Sequence, residues 1–347
     1  MKRFVYLDVI KILAILFVVY NHVINYIDLS STLSKIFFVF SFDICKVAVP
    51  LFIMTSGALL LRKDDKYSNI YGKRIIRILV PLVLVITLNL IIFNNNFRFS
   101  SVHDFLFTII GNLNGEVMPY WSWYLFMLLG LYIMLPFIRK MIKNFNDKDF
   151  KFFTLIFCLI VGFANFIPVL SAVFFNEVTN VNRSFMPTLF SIAIGYFVFG
   201  YYISKMNISK KMKNWSLILL VLSVVIGSIF IYYGMFIKGY GYNDLIFWDV
   251  ILAAVPSMCF FVIFKYYSFL FLGKTQQKIF TRVSSTVFGI YLFHPFLIEF
   301  VAGFGILKFI FNYNTIIGTL VLTLIICFIL MVVIYLLKKI PIIRNFL

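Results

Sequence analysis

Long apolar segments recur along almost the whole chain, and they constrain its fold more than any other feature. Of its 347 residues, 63% are apolar, and the mean hydropathy is +1.01, whereas soluble domains are about half apolar. Each segment approaches the roughly 20 residues that a helix needs to cross a bilayer. Because the hydrophobicity is continuous rather than alternating, helices are expected and barrel strands are not. The sequence therefore predicts an all-α integral membrane protein.

The apolar segments predict a bundle of about ten transmembrane helices. We place them at about 5–27, 36–61, 75–93, 119–138, 152–170, 185–203, 215–236, 247–267, 284–303 and 314–337. Residues 1–347 are expected to form one polytopic domain with no separate soluble domain. Between the third and fourth spans, Val102–Ile110 could form a short interfacial or re-entrant helix that covers a site from outside.

The distribution of charge predicts how the chain crosses the membrane. The formal net charge is +18, but most Lys and Arg residues lie in every second connection, which is the positive-inside pattern. These basic segments are residues 2–3, 62–77, 139–151, 205–213, 265–282 and 338–344. Both termini are therefore predicted to be cytoplasmic, with anionic lipid head groups rather than nucleic acid as the partner of the charge.

The first span carries two ionisable residues on one face. Lys11 and His22 are separated by ten residues, which brings them within about 20° of the same helix face and roughly 16 Å apart along the axis. An unpaired ionisable group in lipid costs about 3 kcal/mol or more. A neutral His22 could take a proton from a substrate hydroxyl. Alternatively, Lys11 reaches the membrane surface and His22 is a satisfied core residue.

Two arginines precede the third span. Arg74 and Arg77 are three residues apart and so share a helix face. Two guanidinium groups beside a helix N-terminus suit the binding of a phosphate group. Ordinary positive-inside anchoring explains the same residues equally well.

Three further segments are candidates for a site. Ser56-Gly57 follows Pro50 near the end of the second span and could serve helix packing alone. Trp123-Tyr124 opens the fourth span and could belong to an interfacial aromatic belt.

The third segment lies in the ninth span. Tyr291-Leu-Phe-His294 places a histidine roughly 15 Å into the membrane, directly before Pro295 and five residues before Glu299. An intramembrane histidine beside a helix-breaking proline indicates either a site or a structural kink.

Taken together, these segments resemble the membrane acyltransferase-3 family, whose members O-acetylate surface carbohydrates. The similarity spans essentially the whole chain. It rests on five segments in order, which are Lys11-x10-His22, Phe52 to Ser56-Gly57, Arg74-x-x-Arg77, Trp123-Tyr124-Leu125 and Tyr291-Leu-Phe-His294. The chain departs from the family pattern at Lys11, where arginine is commoner, and at Trp121-Ser-Trp123-Tyr, where His-Leu-Trp-Tyr is usual.

The resemblance implies an acyl-CoA-dependent O-acyltransferase of the bacterial plasma membrane, with acetyl as the default group and no permanently bound cofactor or metal. Its acceptor would be a hydroxyl of a cell-envelope carbohydrate or lipid-linked glycan. By motif, His22 would be the catalytic base with Lys11 as its partner, and Arg74 with Arg77 would bind the CoA phosphates. The pocket or acceptor residues would be Ser56, Gly57, Trp123, Tyr124, Tyr291 and His294.

Other functions remain open from the sequence. Intramembrane Lys, His and Arg also mark transport pathways, so a transporter or flippase of polysaccharide or lipid-linked sugar is the alternative. A scaffold whose polar residues only pair helices is a third possibility, with Asp43 and Lys46 as one such pair. The acceptor, the acyl group and a direct transfer or acyl-enzyme route are not fixed by these residues.

Overall fold

A computed structural model describes residues 4–93, 121–159, 189–239, 242–271, 273–305 and 315–347, with the single residues 101, 103, 107 and 119. In these ranges the regular structure is helical and contains no strand, which confirms the predicted all-α class. The long helices are α1 (Val5–Val23), α2 (Thr32–Cys45), α3 (Ala48–Leu60), α4 (Ile76–Phe93), α5 (Trp123–Ile142), α6 (147–159), α7 (Leu189–Lys205), α8 (Lys210–Tyr232), α9 (Tyr242–Tyr266), α10 (Lys274–Gly303) and α11 (Thr315–Leu337).

Eight helical segments of the described chain are long and apolar enough to cross a membrane. The predicted span at 185–203 corresponds to α7, which has 17 residues in its described part. Most of the predicted span at 152–170, and most of the predicted re-entrant helix Val102–Ile110, lie outside the described residues. The total of ten spans and the cytoplasmic orientation of the termini therefore stay predictions.

Two predicted spans differ from the structure at their ends. The second begins at Thr32 rather than at 36, because the Ser31 hydroxyl caps the helix by accepting from the Ser34 N–H at 3.0 Å. A turn after Cys45 then separates α2 from α3. The ninth begins at Lys274, ten residues before 284, because its first turns are polar and the hydropathy of the sequence does not detect a helix that extends out of the apolar zone.

The larger of two compact units comprises Met1–Arg62 and Asn144–Tyr335. In it α1 packs against α10 and α3, α3 packs against α7, and α8 packs against α9 and α2. The contact of α3 with α7 requires glycine, since a Cβ on Gly57 would collide with the Phe197 carbonyl and one on Gly200 with the Met54 backbone. Such close backbone approach is typical of helix contacts in membranes.

Several helix ends of this unit meet on one side. The Arg62 guanidinium, just after α3, donates to the Ser204 carbonyl near the end of α7 at 2.7 Å, and it lies over the ring of Phe4 at the start of α1. The Lys265 ammonium near the end of α9 lies over the Tyr6 ring. Basic helix ends thus lie together, in the alternation that the charge distribution predicts.

The smaller unit comprises Lys63–Lys143 and Leu336–Leu347. Its helices α4 and α5 pack against each other, and α5 also contacts the π-helical turn Ile70–Arg74 that leads into α4. The Tyr71 hydroxyl anchors this turn by donating to the Ile133 carbonyl at 3.0 Å. The single domain predicted for residues 1–347 stays a prediction.

Candidate active site

The packing of α1 against α10 brings two histidines together. The ring centroids of His22 and His294 lie 4.9 Å apart, with the ring planes inclined by 44°. His294 is fully buried and His22 is partly buried. The two residues are more than 270 positions apart in the chain, and the sequence predicted them as separate features. The structure joins them in one site.

The sequence around His294 explains how its ring is held. Proline has no N–H, so Pro295 cannot donate to the carbonyl four residues earlier, which belongs to Tyr291. That carbonyl instead bonds to Nδ1 of His294 at 2.7 Å. A carbonyl only accepts, so Nδ1 carries the proton and, in the neutral imidazole, Nε2 keeps its lone pair. The His-Pro pair therefore fixes both the orientation and the tautomer of His294.

The acceptor nitrogen of His294 gives the histidine pair its chemical capacity. Nε2 of His294 is buried and has no hydrogen-bond partner among the described residues. A buried acceptor without a partner costs about 1–3 kcal/mol, so such an atom in a native structure needs an explanation. Because its ring contacts that of His22, this nitrogen is an acceptor available to an imidazole N–H, which is what an orienting partner supplies to a catalytic base.

Polar groups continue from the histidines to the exposed end of the same helix pair. The Tyr26 hydroxyl, one turn after His22, donates to Oε1 of Glu299 at 2.8 Å. Lys46, in the turn between α2 and α3, is close enough for its charge to act on His22. Neither Glu299 nor Lys46 was predicted at this site from the sequence. Their signal was an ionisable residue inside an apolar segment, but only the fold shows which histidine each one accompanies.

Several predicted pocket residues lie in the same unit. Tyr291 is buried with its ring centroid 5.9 Å from that of His294. Gly57 packs against the α7 backbone, which accounts for this glycine by helix packing, and Ser56 is partly buried beside it. Lys11 is partly buried on α1, and the rise of the helix places it roughly 16 Å from His22. That distance excludes direct contact between Lys11 and His22.

The predicted arginines lie in the smaller unit. Arg74 donates to Oδ2 of Asp65 at 2.6 Å, and Arg139 donates to the same oxygen at 3.2 Å. Arg77 is exposed. The Asp65–Arg139 contact was not predicted from the sequence. Asp65 lies in the basic segment 62–77, which was interpreted only by its excess of Lys and Arg. Trp123 and Tyr124 begin α5 in this unit, with Trp123 exposed and Tyr124 buried.

The two arginines determine the ionisation of Asp65. Burial raises the pKa of Asp65, but hydrogen bonds from Arg139 and Arg74 and their positive charges outweigh it and leave the pKa below its usual value. Burial and the charge of Arg77 together lower the pKa of Lys338. Asp65 thus stays an anion that pairs with two guanidinium groups.

No three His, Cys, Asp or Glu side chains of the described residues gather into a metal site.

These observations define an integral membrane protein with a histidine pair between two packed helices, suited to proton transfer, and a separate arginine cluster suited to an anion. The chain belongs to the acyltransferase-3 family, whose model, described as an acyltransferase domain, matches residues 4–338. Comparison with curated proteins and with solved structures gives no match. The resemblance found in the sequence is confirmed, and the protein is a multi-pass membrane acyltransferase that needs an acyl donor and an acceptor.

Proposed function

We propose that the protein transfers an acyl group, acetyl by default, from acyl-CoA on the cytoplasmic side of a bacterial plasma membrane to a hydroxyl of an envelope carbohydrate or lipid-linked glycan. The observation that carries this proposal is the contact of His22 with His294 in a buried part of the helix bundle. Acyl transfer to a hydroxyl needs a neutral base beside the acceptor, and an imidazole supplies it near neutral pH.

In the proposed step, His22 takes the proton of the acceptor hydroxyl while its oxygen attacks the thioester carbonyl. The tetrahedral intermediate collapses with cleavage of the carbon–sulfur bond, and the leaving thiolate takes the proton back from the imidazolium. The products are the ester and free CoA. Because Nδ1 of His294 donates to the Tyr291 carbonyl, Nε2 is the acceptor nitrogen. In this proposal it accepts a hydrogen bond from the His22 imidazolium and stabilises it. The positive charge of Lys46, which acts on His22, would stabilise the oxyanion in this proposal.

The arginine cluster would bind the donor. Arg74 and Arg77 supply forked guanidinium groups, which suit the phosphates of CoA. In the structure Arg74 is occupied by the carboxylate of Asp65, so a phosphate would take the place of that carboxylate. Arg77 is exposed and accessible to a ligand from solution.

The remaining predicted residues have subordinate roles in this proposal. Tyr291 would border the acceptor through its contact with His294. Ser56, Gly57, Trp123 and Tyr124 stay proposed pocket residues, and Lys11 would act at a distance from His22 as a charged group of the same helix face.

The test uses purified protein in nanodiscs, acetyl-CoA as donor and extracted envelope glycan as acceptor, with release of the CoA thiol and the glycan ester measured together. His22→Ala should abolish both signals and still bind acetyl-CoA. Arg74→Gln with Arg77→Gln should lose acetyl-CoA binding. His103→Ala, the third histidine of the chain, is the matched control and should behave as wild type.

The same experiment separates acyl transfer from transport. A transporter or flippase of a lipid-linked sugar has no need of acetyl-CoA, so wild-type protein that neither binds it nor releases thiol would contradict the proposal. Family membership favours acyl transfer over transport.

A further inference from the structure

We infer that the larger unit holds a second anion site, in which Arg62, Lys265 and the hydroxyl of Tyr6 bind a phosphate group. The site lies where the start of α1 meets the ends of α3, α7 and α9. It is additional to Arg74 and Arg77, and it does not depend on the reaction proposed above.

Arg62 is the centre of the site and is held by neutral groups. One of its terminal nitrogens donates to the Ser204 carbonyl at 2.7 Å and to the Ser204 hydroxyl at 2.9 Å. The guanidinium carbon lies 4.6 Å from the centroid of the Phe4 ring. These contacts fix the plane of the guanidinium but leave its charge uncompensated. Its Nε is buried without a hydrogen-bond partner among the described residues.

Lys265 adds a second positive charge to the same place. Its ammonium lies 5.2 Å from the centroid of the Tyr6 ring, and the charge of Arg62 acts on both Lys265 and Tyr6. Both cations are partly buried. In the described part of the chain neither of them forms an ion pair with a carboxylate; Asp8, on the same helix as Tyr6, accepts from the Ser284 hydroxyl at 2.7 Å. Two partly buried like charges need a counter-ion.

Tyr6 adds a buried hydroxyl that can donate a hydrogen bond. The residue is 2% exposed, and its hydroxyl has no hydrogen-bond partner among the described residues. A buried tyrosine hydroxyl normally finds one, because leaving it unpaired costs about 1–3 kcal/mol. An acceptor bound here would take hydrogen bonds from the Tyr6 hydroxyl and Arg62 Nε together, with its charge balanced by Arg62 and Lys265.

A phosphate group has the required properties. It carries negative charge, presents several acceptor oxygens and suits the fork of an arginine. The site lies among basic helix ends that the charge pattern places at the cytoplasmic surface. Two sources of phosphate reach such a place, namely a soluble phosphate compound and the head group of an anionic lipid. Both present the same chemistry to Arg62, Lys265 and Tyr6.

The test measures the two sources separately on full-length protein that carries Arg74→Gln and Arg77→Gln, so that the other arginine pair does not contribute. The first arm titrates inorganic pyrophosphate into protein in phosphatidylcholine nanodiscs and measures its dissociation constant. The second arm counts phosphatidylglycerol molecules retained by detergent-purified protein in native mass spectrometry. Each arm compares Arg62→Gln and Tyr6→Phe with the controls Lys278→Gln and Tyr196→Phe.

The controls match the test variants in chemistry but not in place. Lys278 is an exposed lysine of the same basic segment as Lys265, thirteen residues further along the chain. Tyr196 is 2% exposed and its hydroxyl also lacks a hydrogen-bond partner in the described ranges, but it packs against Phe157, two helical turns before Ser204. Tyr6→Phe removes one oxygen that has no hydrogen-bond partner among the residues the structure describes, so it should fold as well as the parent even if Arg62→Gln does not.

In at least one arm, Arg62→Gln should weaken binding about tenfold and Tyr6→Phe about threefold, with both controls unchanged. Loss in the pyrophosphate arm identifies a soluble phosphate ligand, and loss in the phosphatidylglycerol arm identifies a lipid head group. If Tyr6→Phe binds both ligands as tightly as the parent protein does, the proposed site is wrong. Equal weakening by Lys278→Gln would also overturn it, because the effect would then be diffuse electrostatics.

Discussion

The histidine pair and the arginine cluster are held in place by different kinds of group. His294 is fully buried, and its ring is held by a backbone carbonyl that a proline has freed. Arg74 ends the π-helical turn before α4 and Arg139 lies in the last turn of α5, and both are held by the side chain of Asp65 in the preceding loop. A backbone carbonyl in a helix cannot move away, whereas a carboxylate in a loop can.

The histidine pair is therefore fixed in place, whereas the arginine cluster can exchange its partner. Proton transfer needs an imidazole in one tautomer and one orientation, which a rigid backbone contact supplies. Binding of a phosphate needs positive groups that are stable without the ligand and available when it arrives. An ion pair with Asp65 meets both needs, since exposed pairs contribute only about 0–1 kcal/mol.

Replacing the proposed base should have the largest effect. His22→Ala should reduce the rate of acyl transfer roughly thousandfold, because general base catalysis contributes about 10²–10⁴-fold. Affinity for acyl-CoA should be unchanged, since the arginines are intact. The measurement is thiol release at saturating donor together with equilibrium binding. A variant that folds normally and keeps wild-type transfer would remove His22 from the mechanism.

Replacing the orienting histidine should cost less. His294→Ala should lower the rate roughly a hundredfold, because His22 would remain but its protonated form would lose an acceptor. In a double-mutant cycle the two histidine substitutions should be strongly non-additive, as expected of residues that act as a unit. Additive losses would show that the histidines act independently.

The proline tests the tautomer argument without touching a histidine. In Pro295→Ala, the new N–H of residue 295 can donate to the Tyr291 carbonyl and compete with Nδ1 of His294. The rate should fall about tenfold, while thermal stability should hold or rise as the helix regains its hydrogen bond. Pro256→Ala in α9 is a matched control, also a proline within a helix. A drop in stability with no change in rate would make Pro295 purely structural.

In the arginine cluster, substitutions should change binding rather than chemistry. Arg77→Gln should raise the KM for acyl-CoA about tenfold, the value of one charge-assisted phosphate contact, and leave kcat nearly unchanged. Arg344→Gln, in the same unit and within the C-terminal basic segment, is the control. A fall in kcat at constant KM would instead place Arg77 in the chemical step.

The smallest effect is expected at Asp65. Asp65→Asn removes the competing anion, so affinity for acyl-CoA should rise about two- to threefold, as expected for losing its partly exposed ion pairs with Arg74 and Arg139. Because the Arg139 and Arg74 contacts lower the pKa of Asp65, its stabilising effect is complete above the unfolded value near pH 4 and is lost as the pH falls through the lowered pKa. Melting temperatures from neutral to acid pH should therefore converge for wild type and Asp65→Asn at the acid end.

Much of this fold follows from the sequence because hydrophobicity and charge are local signals. The apolar segments predict the helices, and the basic connections predict that Arg62, Lys265 and the start of α1 lie on one side, as their contacts show. The helix ends were less predictable. Ser31 extends α2 and polar first turns extend α10, and neither feature changes the hydropathy of the span.

The site was only half predictable for a similar reason. His22 and His294 each stood out as an ionisable residue in an apolar segment, but their contact depends on the packing of α1 against α10, which no local pattern encodes. The bond from His294 to the Tyr291 carbonyl was accessible in principle, since a proline at 295 always frees the carbonyl of residue 291. Asp65 was missed because its partner Arg139 lies 74 residues away.

The most direct test of the account is mass spectrometry of envelope glycans from cells that lack the protein, cells that carry it, and cells that carry His22→Ala at equal abundance. We expect an acyl-ester mass increment on a glycan only in cells with the wild-type protein, together with normal acetyl-CoA binding by the purified variant. The same ester in His22→Ala cells, or no difference between cells with and without the protein, would contradict acyl transfer at the histidine pair.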